Sequence, residues 1–213
     1  MAGPATLIAL VGNKGGTGKT TLAVNMAMGL MKRAPAALLD LDPQRSAQQW
    51  ARIAEHSALS EHVYECAEGA GDAVNDLQAR YRYVVVDCPP SVHSTQTQGI
   101  LRVADRVLVP VQPSPMDLWA TVAVVDEIEA ARREHPRLQA RIVLNQLEAH
   151  TVLSRDIREV IDEVGMDVLR GEVRRRAVYR NAMAEGKTVF DAGSAGRNAV
   201  MEIEHLILEV IAL

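Results

Sequence analysis

Between Leu7 and Thr21 the chain reads LIALVGNKGGTGKTT, and few folds can hold such a stretch. Leu7-Ile8-Ala9-Leu10-Val11 is an unbroken apolar run of strand length, the mark of a buried strand. Glycines follow at 12, 15, 16 and 18, and a helical pattern opens at Lys19. A loop of this kind cradles an anion. Its glycines let the backbone curl close, the free N–H groups of the helix start point at the ligand, and Lys19 adds a charge able to span two phosphates. Thr20 brings a hydroxyl suited to Mg2+. An ordinary Gly-rich turn has no reason to set strand, glycines, Lys-Thr and helix in this order.

Beyond the cradle, apolar runs of strand length alternate with segments of helical period, which predicts α/β architecture: a doubly wound, mostly parallel sheet with helices on both faces. At 213 residues, 48% of them apolar, residues 1–213 are expected to form a single domain. The second strand, 36–39, runs into Asp40-Leu41-Asp42-Pro43-Gln44. Two aspartates two apart at a strand's C-terminal end point the same way and could face Mg2+ together, although Asp-Pro is also good turn chemistry. A helix is expected from Ser46 to about Ala58, with Trp50 and Ile53 on its buried side. Tyr83-Val84-Val85-Val86-Asp87 delivers one carboxylate to the same edge of the sheet, where Mg2+ beside a triphosphate needs a second oxygen-bearing group. A strand at 105–111 leads through Gln112-Pro113-Ser114-Pro115 into a helix with Val122, Val125 and Ile128 at its spacing, and 142–145 is a further strand ending in Asn145.

The cradle departs from G-x-x-x-x-G-K-[ST] at one place: Asn13 occupies the first glycine position, followed by a second lysine, Lys14. Beside Lys19 a second charge in the same cradle is redundant, so Lys14 is better explained by a phosphate held elsewhere. KGGTGKT resembles the deviant Walker A motif of the ParA/MinD family of P-loop NTPases. DLDPQ and DCPPS are similar to that family's two switch motifs, and VPVQPSPMDL resembles its small ParF-like members. The resemblance implies ATP bound at Lys14, Gly15, Gly16, Thr17, Gly18, Lys19, Thr20 and Thr21, with Asn145 at the adenine. It implies Mg2+ held by Thr20 with Asp40 and Asp87 behind it, Asp42 positioning the attacking water, and Lys14 reaching across a homodimer to the partner's nucleotide.

Between Arg170 and Lys187 six positive residues face only Glu172 and Glu185, in a chain whose net charge is −4. Such a patch can bind duplex DNA through its phosphates without reading bases; a bare Arg-Arg-Arg run is more often the face of a solvated helix. The resemblance favours nonspecific DNA and points to Arg174, Arg175, Arg176 and Arg180. Two cysteines, Cys66 and Cys88, make no disulfide framework, no apolar run reaches the length of a membrane span, and the first residues lack the features of a signal peptide, so a cytoplasmic location is expected; the resemblance implies that the protein is nucleoid-associated with ATP bound. The last helix, about 197–213, sets an apolar side against Glu202, Glu204 and Glu209. Anionic lipid repels that acidic face, so it is expected in the core and no stable membrane association is expected.

Taken together, the resemblance implies an ATPase of weak intrinsic activity that forms an ATP-sandwich dimer, binds DNA and is released when a ParB-like or cargo-adaptor protein stimulates hydrolysis. Its cargo would be a plasmid, a chromosome, a carboxysome or a chemoreceptor cluster. The alternatives are a MinD-like regulator cycling on membrane and a small-molecule kinase or ligase on the same scaffold.

Overall fold

A parallel sheet survives only where both of its faces are covered, and the strands here are apolar enough to require it. The computed structural model describes residues 5–66, 70–148, 161 and 164–213. Its strands are β1 (Thr6–Leu10), β2 (Ala36–Asp40), β3 (Val63–Glu65), β4 (Tyr83–Asp87), β5 (Arg106–Val111), β6 (Gln139–Leu147) and β7 (Val168–Arg174). They form one sheet in the order β3-β2-β4-β1-β5-β6-β7, with every neighbouring pair parallel. The helices described are α1 (Lys19–Met31), α2 (Ser46–Ile53), α3 (Ala70–Arg80), α4 (Thr95–Leu101), α5 (Pro115–Glu134), α6 (Ala177–Ala184) and α7 (Gly193–Ala212).

Alternation along each strand sorts the core into two layers. Leu7, Ala9, Val84 and Val86 pack with Leu77 of α3, Ile100 of α4 and Ile128 of α5. Ile8, Leu10, Leu38 and Val85 face the other way, onto Leu22 and Met26 of α1, Trp50 of α2 and Leu206 of α7. Both layers are dry, which is why β1 and β4 read as continuous apolar runs rather than alternating ones. Strand order reverses around β1, which lies between β4 and β5. Ligands of open α/β sheets sit at the C-terminal edge beside such a reversal, and the Gly-rich loop leaves β1 there.

The last helix goes where its pattern sends it: Ile203, Leu206, Ile207 and Val210 of α7 are wholly buried. Among the described residues no helix is long and apolar enough to cross a membrane.

Other boundaries differ from the sequence expectation. Helix α2 stops at Ile53 rather than near Ala58, and Ile53 is exposed rather than buried. Beyond it Ser57 and Ser60 turn the chain, the Ser60 hydroxyl donating to the Ser57 carbonyl at 2.7 Å, as short hydroxyl side chains do in competition with a helix. Trp50 is buried and its indole N–H donates to the Lys187 carbonyl at 3.2 Å, a core role. Helix α4 (TQTQGIL) is too short and polar to show a period; it begins because Ser94 Oγ accepts the Thr97 N–H at 3.1 Å. Strand β7 lies at the sheet's edge with alternate residues outward, so its Arg170 and Arg174 masked it as part of a charge run.

Candidate nucleotide site

The loop from Gly12 to Gly18 is shaped by side chains that reach it from other elements. Gly16 and Gly18 both have left-handed backbones, φ +80° and +90°. At Gly18 a Cβ would lie 2.4 Å from the Asn145 amide nitrogen, so only glycine fits. That amide donates to the Thr17 carbonyl at 2.6 Å. Two more amides, from Gln112 and Gln146, donate to the Gly16 carbonyl at 2.7 and 3.1 Å. Lys19 Nζ donates to the Lys14 carbonyl at 3.0 Å. Carbonyls of 14, 16 and 17 are thus tied back, leaving the loop's N–H groups to form an anion nest. Asn13, in place of the first glycine, accepts the Val92 N–H at 3.4 Å and links the cradle to the loop after β4.

Beneath the cradle the chain buries charge. Thr20 Oγ1 donates to Asp87 Oδ2 at 2.6 Å, and strand register sets Asp40 opposite Asp87. Burial pushes Asp87 up to about 7, with the Thr20 hydrogen bond pulling it down and the Asp40 charge pushing it further up. Lys19 is lowered, first by burial, against the attraction of Asp87 and Asp42. Burial also raises the Cys88 thiol, which leaves it structural rather than reactive.

Among the described residues Asp87 Oδ1 and Thr17 Oγ1 are buried without a hydrogen-bond partner. A buried carboxylate oxygen left unpaired beside a threonine hydroxyl is a donor set that fits a hard divalent cation. The orphaned Thr17 hydroxyl is a second polar atom in want of a ligand. Asp40 is engaged differently. Its two oxygens accept the Asp42 and Gln48 N–H groups, each at 3.0 Å, so it organises the loop that carries Asp42. Asp42 is half-buried, and its Oδ1 accepts the Gln44 N–H at 2.9 Å in a local turn.

Lys14 turns away from its own cradle. Its Nζ donates to Asp117 Oδ1 at 2.5 Å; the Lys14 side chain is 45% exposed and that of Asp117 3%. Asp117 lies in the first turn of α5, and its N–H donates to Ser114 Oγ at 3.2 Å. Ser114-Pro115-Met116-Asp117 has the spacing of a helix-capping box, a signal legible in the sequence, yet the carboxylate goes to Lys14 instead of the backbone.

Beside Gly18 and Thr21 opens a cavity of about 270 Å³, with Asn145, Gln146 and Tyr179 in its wall. Arg174, Arg175, Arg176 and Arg180 line it too, so the basic segment rims the cradle rather than standing apart from it. Their partners differ. Arg176 donates from Nε and Nη2 to Glu202 Oε1 at 2.9 and 2.7 Å, and Tyr179 Oη donates to Glu202 Oε2 at 3.0 Å. Arg175 pairs with Glu148, and Arg174 meets Glu172 at 3.4 Å. Arg180 is exposed on α6.

Sequence reasoning missed Gln112, Gln146, Asp117 and Glu202. For the two glutamines the available signal was a polar side chain at a strand's C-terminal end. Glu202 belongs to a helix whose acidic side looked merely solvated.

Residues 8–189 match the model of the CobQ/CobB/MinD/ParA nucleotide binding domain. The chain is 41% identical over 207 residues to the maintenance of carboxysome distribution protein A of Halothiobacillus neapolitanus, covering 96% of this chain and 95% of that one. In fold it is similar to an ATP complex of a McdA variant from Cyanothece, with a TM-score of 0.78 at 13% identity over 98% of this chain and 97% of that one. It is also similar to the MinD cell division protein of Aquifex aeolicus, with a TM-score of 0.76 at 17% identity over 96% and 98%.

Proposed function

We infer a function from one premise: the chain belongs to the CobQ/CobB/MinD/ParA family of nucleotide-binding domains. The proposed function is that of a ParA-type positioning ATPase. It forms an ATP-sandwich homodimer, holds nonspecific DNA as that dimer, and lets go when a partner protein stimulates hydrolysis. One observation carries the reading: Lys14 is bound by Asp117 instead of its own cradle and its side chain stays half-exposed, so a second copy's nucleotide would have to draw it out of that ion pair. Distribution of carboxysomes is the cargo suggested by the relative from Halothiobacillus, and the dimer is expected on the nucleoid when loaded.

In this reading the loop N–H groups and Lys19 take the phosphates of ATP, and the base enters the cavity beside Gly18 and Asn145. Thr20 and Asp87 would hold Mg2+, with Asp40 adjacent; bound there it neutralises phosphate charge. The partner's copy of Lys14 stabilises charge that develops during transfer. Asp42 orients the attacking water. Replacing it, Asp42→Ala, is expected to lower hydrolysis at saturating ATP by on the order of a hundredfold while the ATP dimer accumulates. Unchanged turnover in a phosphate-release assay would remove Asp42 from the chemistry.

DNA binding is tested at the arginines. Arg174→Gln, Arg175→Gln and Arg180→Gln together should weaken binding to a duplex of arbitrary sequence in ATP. They should also flatten the plot of log K against log salt by about 0.9 for each phosphate the variant no longer neutralises. Arg176, occupied by Glu202, should add little. Because all four line the cavity, ATP affinity is measured in parallel. Undiminished DNA affinity with an unchanged salt slope returns the segment to an ordinary solvated face.

A further inference from the structure

An exposed glycine loop has little reason to hold one shape by itself, since glycine has more backbone freedom to lose than any other residue. Residues 14–16 are exposed, yet Gly16 holds φ +80°. What holds it comes from outside the loop. Gln112, just past β5, and Gln146, near the end of β6, reach from neighbouring strands to the same Gly16 carbonyl. Gln146 does so from a left-handed backbone, φ +56°, one of two side-chain-bearing residues among those described with positive φ. That conformation is unfavourable for any residue with a Cβ, and it is sustained by the neighbouring Asn145, whose Oδ1 accepts the Gln146 N–H at 3.0 Å. Strain beside a ligand loop, held in place together with a hydrogen bond to that loop, is the mark of a positioning device.

We propose that Gln112 and Gln146 are positioning residues of the phosphate cradle, jointly orienting the Gly16 peptide so that the loop binds ATP without first having to be ordered. The proposal rests on the reading of this loop as an ATP site. Its physical basis is preorganisation. Each amide replaces a water on the Gly16 carbonyl and removes rotational freedom that a ligand would otherwise have to suppress on binding. Either amide alone retains part of the effect, because the carbonyl has two acceptor positions.

The test uses Gln112→Leu, Gln146→Gly and the double variant, each titrated with ATP and with ADP. Single variants should raise Kd for both nucleotides about threefold, and the double about tenfold, the range expected for hydrogen bonds of ordinary net strength. For Gln112→Leu, whose side chain is outside the wall of the cavity beside Gly18, steady-state KM should rise in step while kcat stays within about twofold. Thermal unfolding separates positioning from mere structural support. Glycine relieves the left-handed strain but also gives up the amide's hydrogen bond to Gly16, two effects of similar size and opposite sign, so Gln146→Gly should melt within about 2 °C of wild type although it binds nucleotide more weakly. Wild-type affinity in the double variant overturns the proposal, as does a Gln146→Gly protein that melts many degrees below wild type while losing affinity. Lys19→Gln run alongside distinguishes the two levels. If it too binds ATP normally, the ATP site itself is wrong; if it fails while the double variant binds normally, only the bracing role is lost.

Discussion

Lys19→Gln is expected to abolish ATP binding, with affinity falling on the order of a hundredfold or more, the scale of losing charge-assisted hydrogen bonds to phosphate. The lysine is buried, and its ammonium already bridges the loop through the Lys14 carbonyl. Burial lowers its pKa, and the nearby Asp87 counteracts that lowering. A buried cation kept beside a buried carboxylate is unfavourable by itself, and an arriving anion offsets that desolvation. Glutamine keeps a donor while removing the charge and the reach to the Lys14 carbonyl, so titration calorimetry on a folded variant reads the loss of the ammonium. A variant that bound ATP with wild-type affinity would sink the assignment of the cradle.

Lys14→Ala should act on a different step. Its own cradle remains, because Lys19, the nest of N–H groups and the Thr20–Asp87 pair do not depend on the Lys14 side chain. ATP should therefore still bind within about threefold of wild type, the range of one ordinary hydrogen bond. Hydrolysis should drop by on the order of a thousandfold, the scale of removing a trans-acting cation from phosphoryl transfer. Some stability is lost as well, since the Asp117 carboxylate is left buried without its ammonium. Hydrolysis measured beside ATP affinity distinguishes this outcome from simple loss of the site.

Much of this arrangement was legible in the chain. The run into Gly12, the Lys19-Thr20 pair and the strands ending at Asp40 and Asp87 read directly, because dry parallel strands are continuous apolar runs and ligand groups cluster at their ends. Elements whose signal is not hydrophobic periodicity escaped. Helix α4 rests on a serine cap, and β7 hides its inward alternation among arginines. Partners across long separations escaped for another reason. That Lys14 meets Asp117, Gly16 meets Gln112 and Gln146, and Arg176 meets Glu202 is decided by which strands and helices become neighbours. Nothing local encodes it. The Arg176–Glu202 pair also recasts the basic segment, whose triplet lines a cavity beside the cradle with each arginine meeting a carboxylate, of Glu172, Glu148 and Glu202 in turn.

If ATP joins two copies through Lys14, the mass of the loaded protein must depend on that side chain. Sedimentation equilibrium of wild-type and Lys14→Ala protein, each with ADP and with saturating non-hydrolysable ATP analogue, tests this most directly. Wild type is expected at the protomer mass with ADP and at twice that mass with the analogue, and Lys14→Ala at the protomer mass in both although it is loaded. Wild type that stays at the protomer mass with the analogue bound, or Lys14→Ala that doubles as readily as wild type, would contradict it.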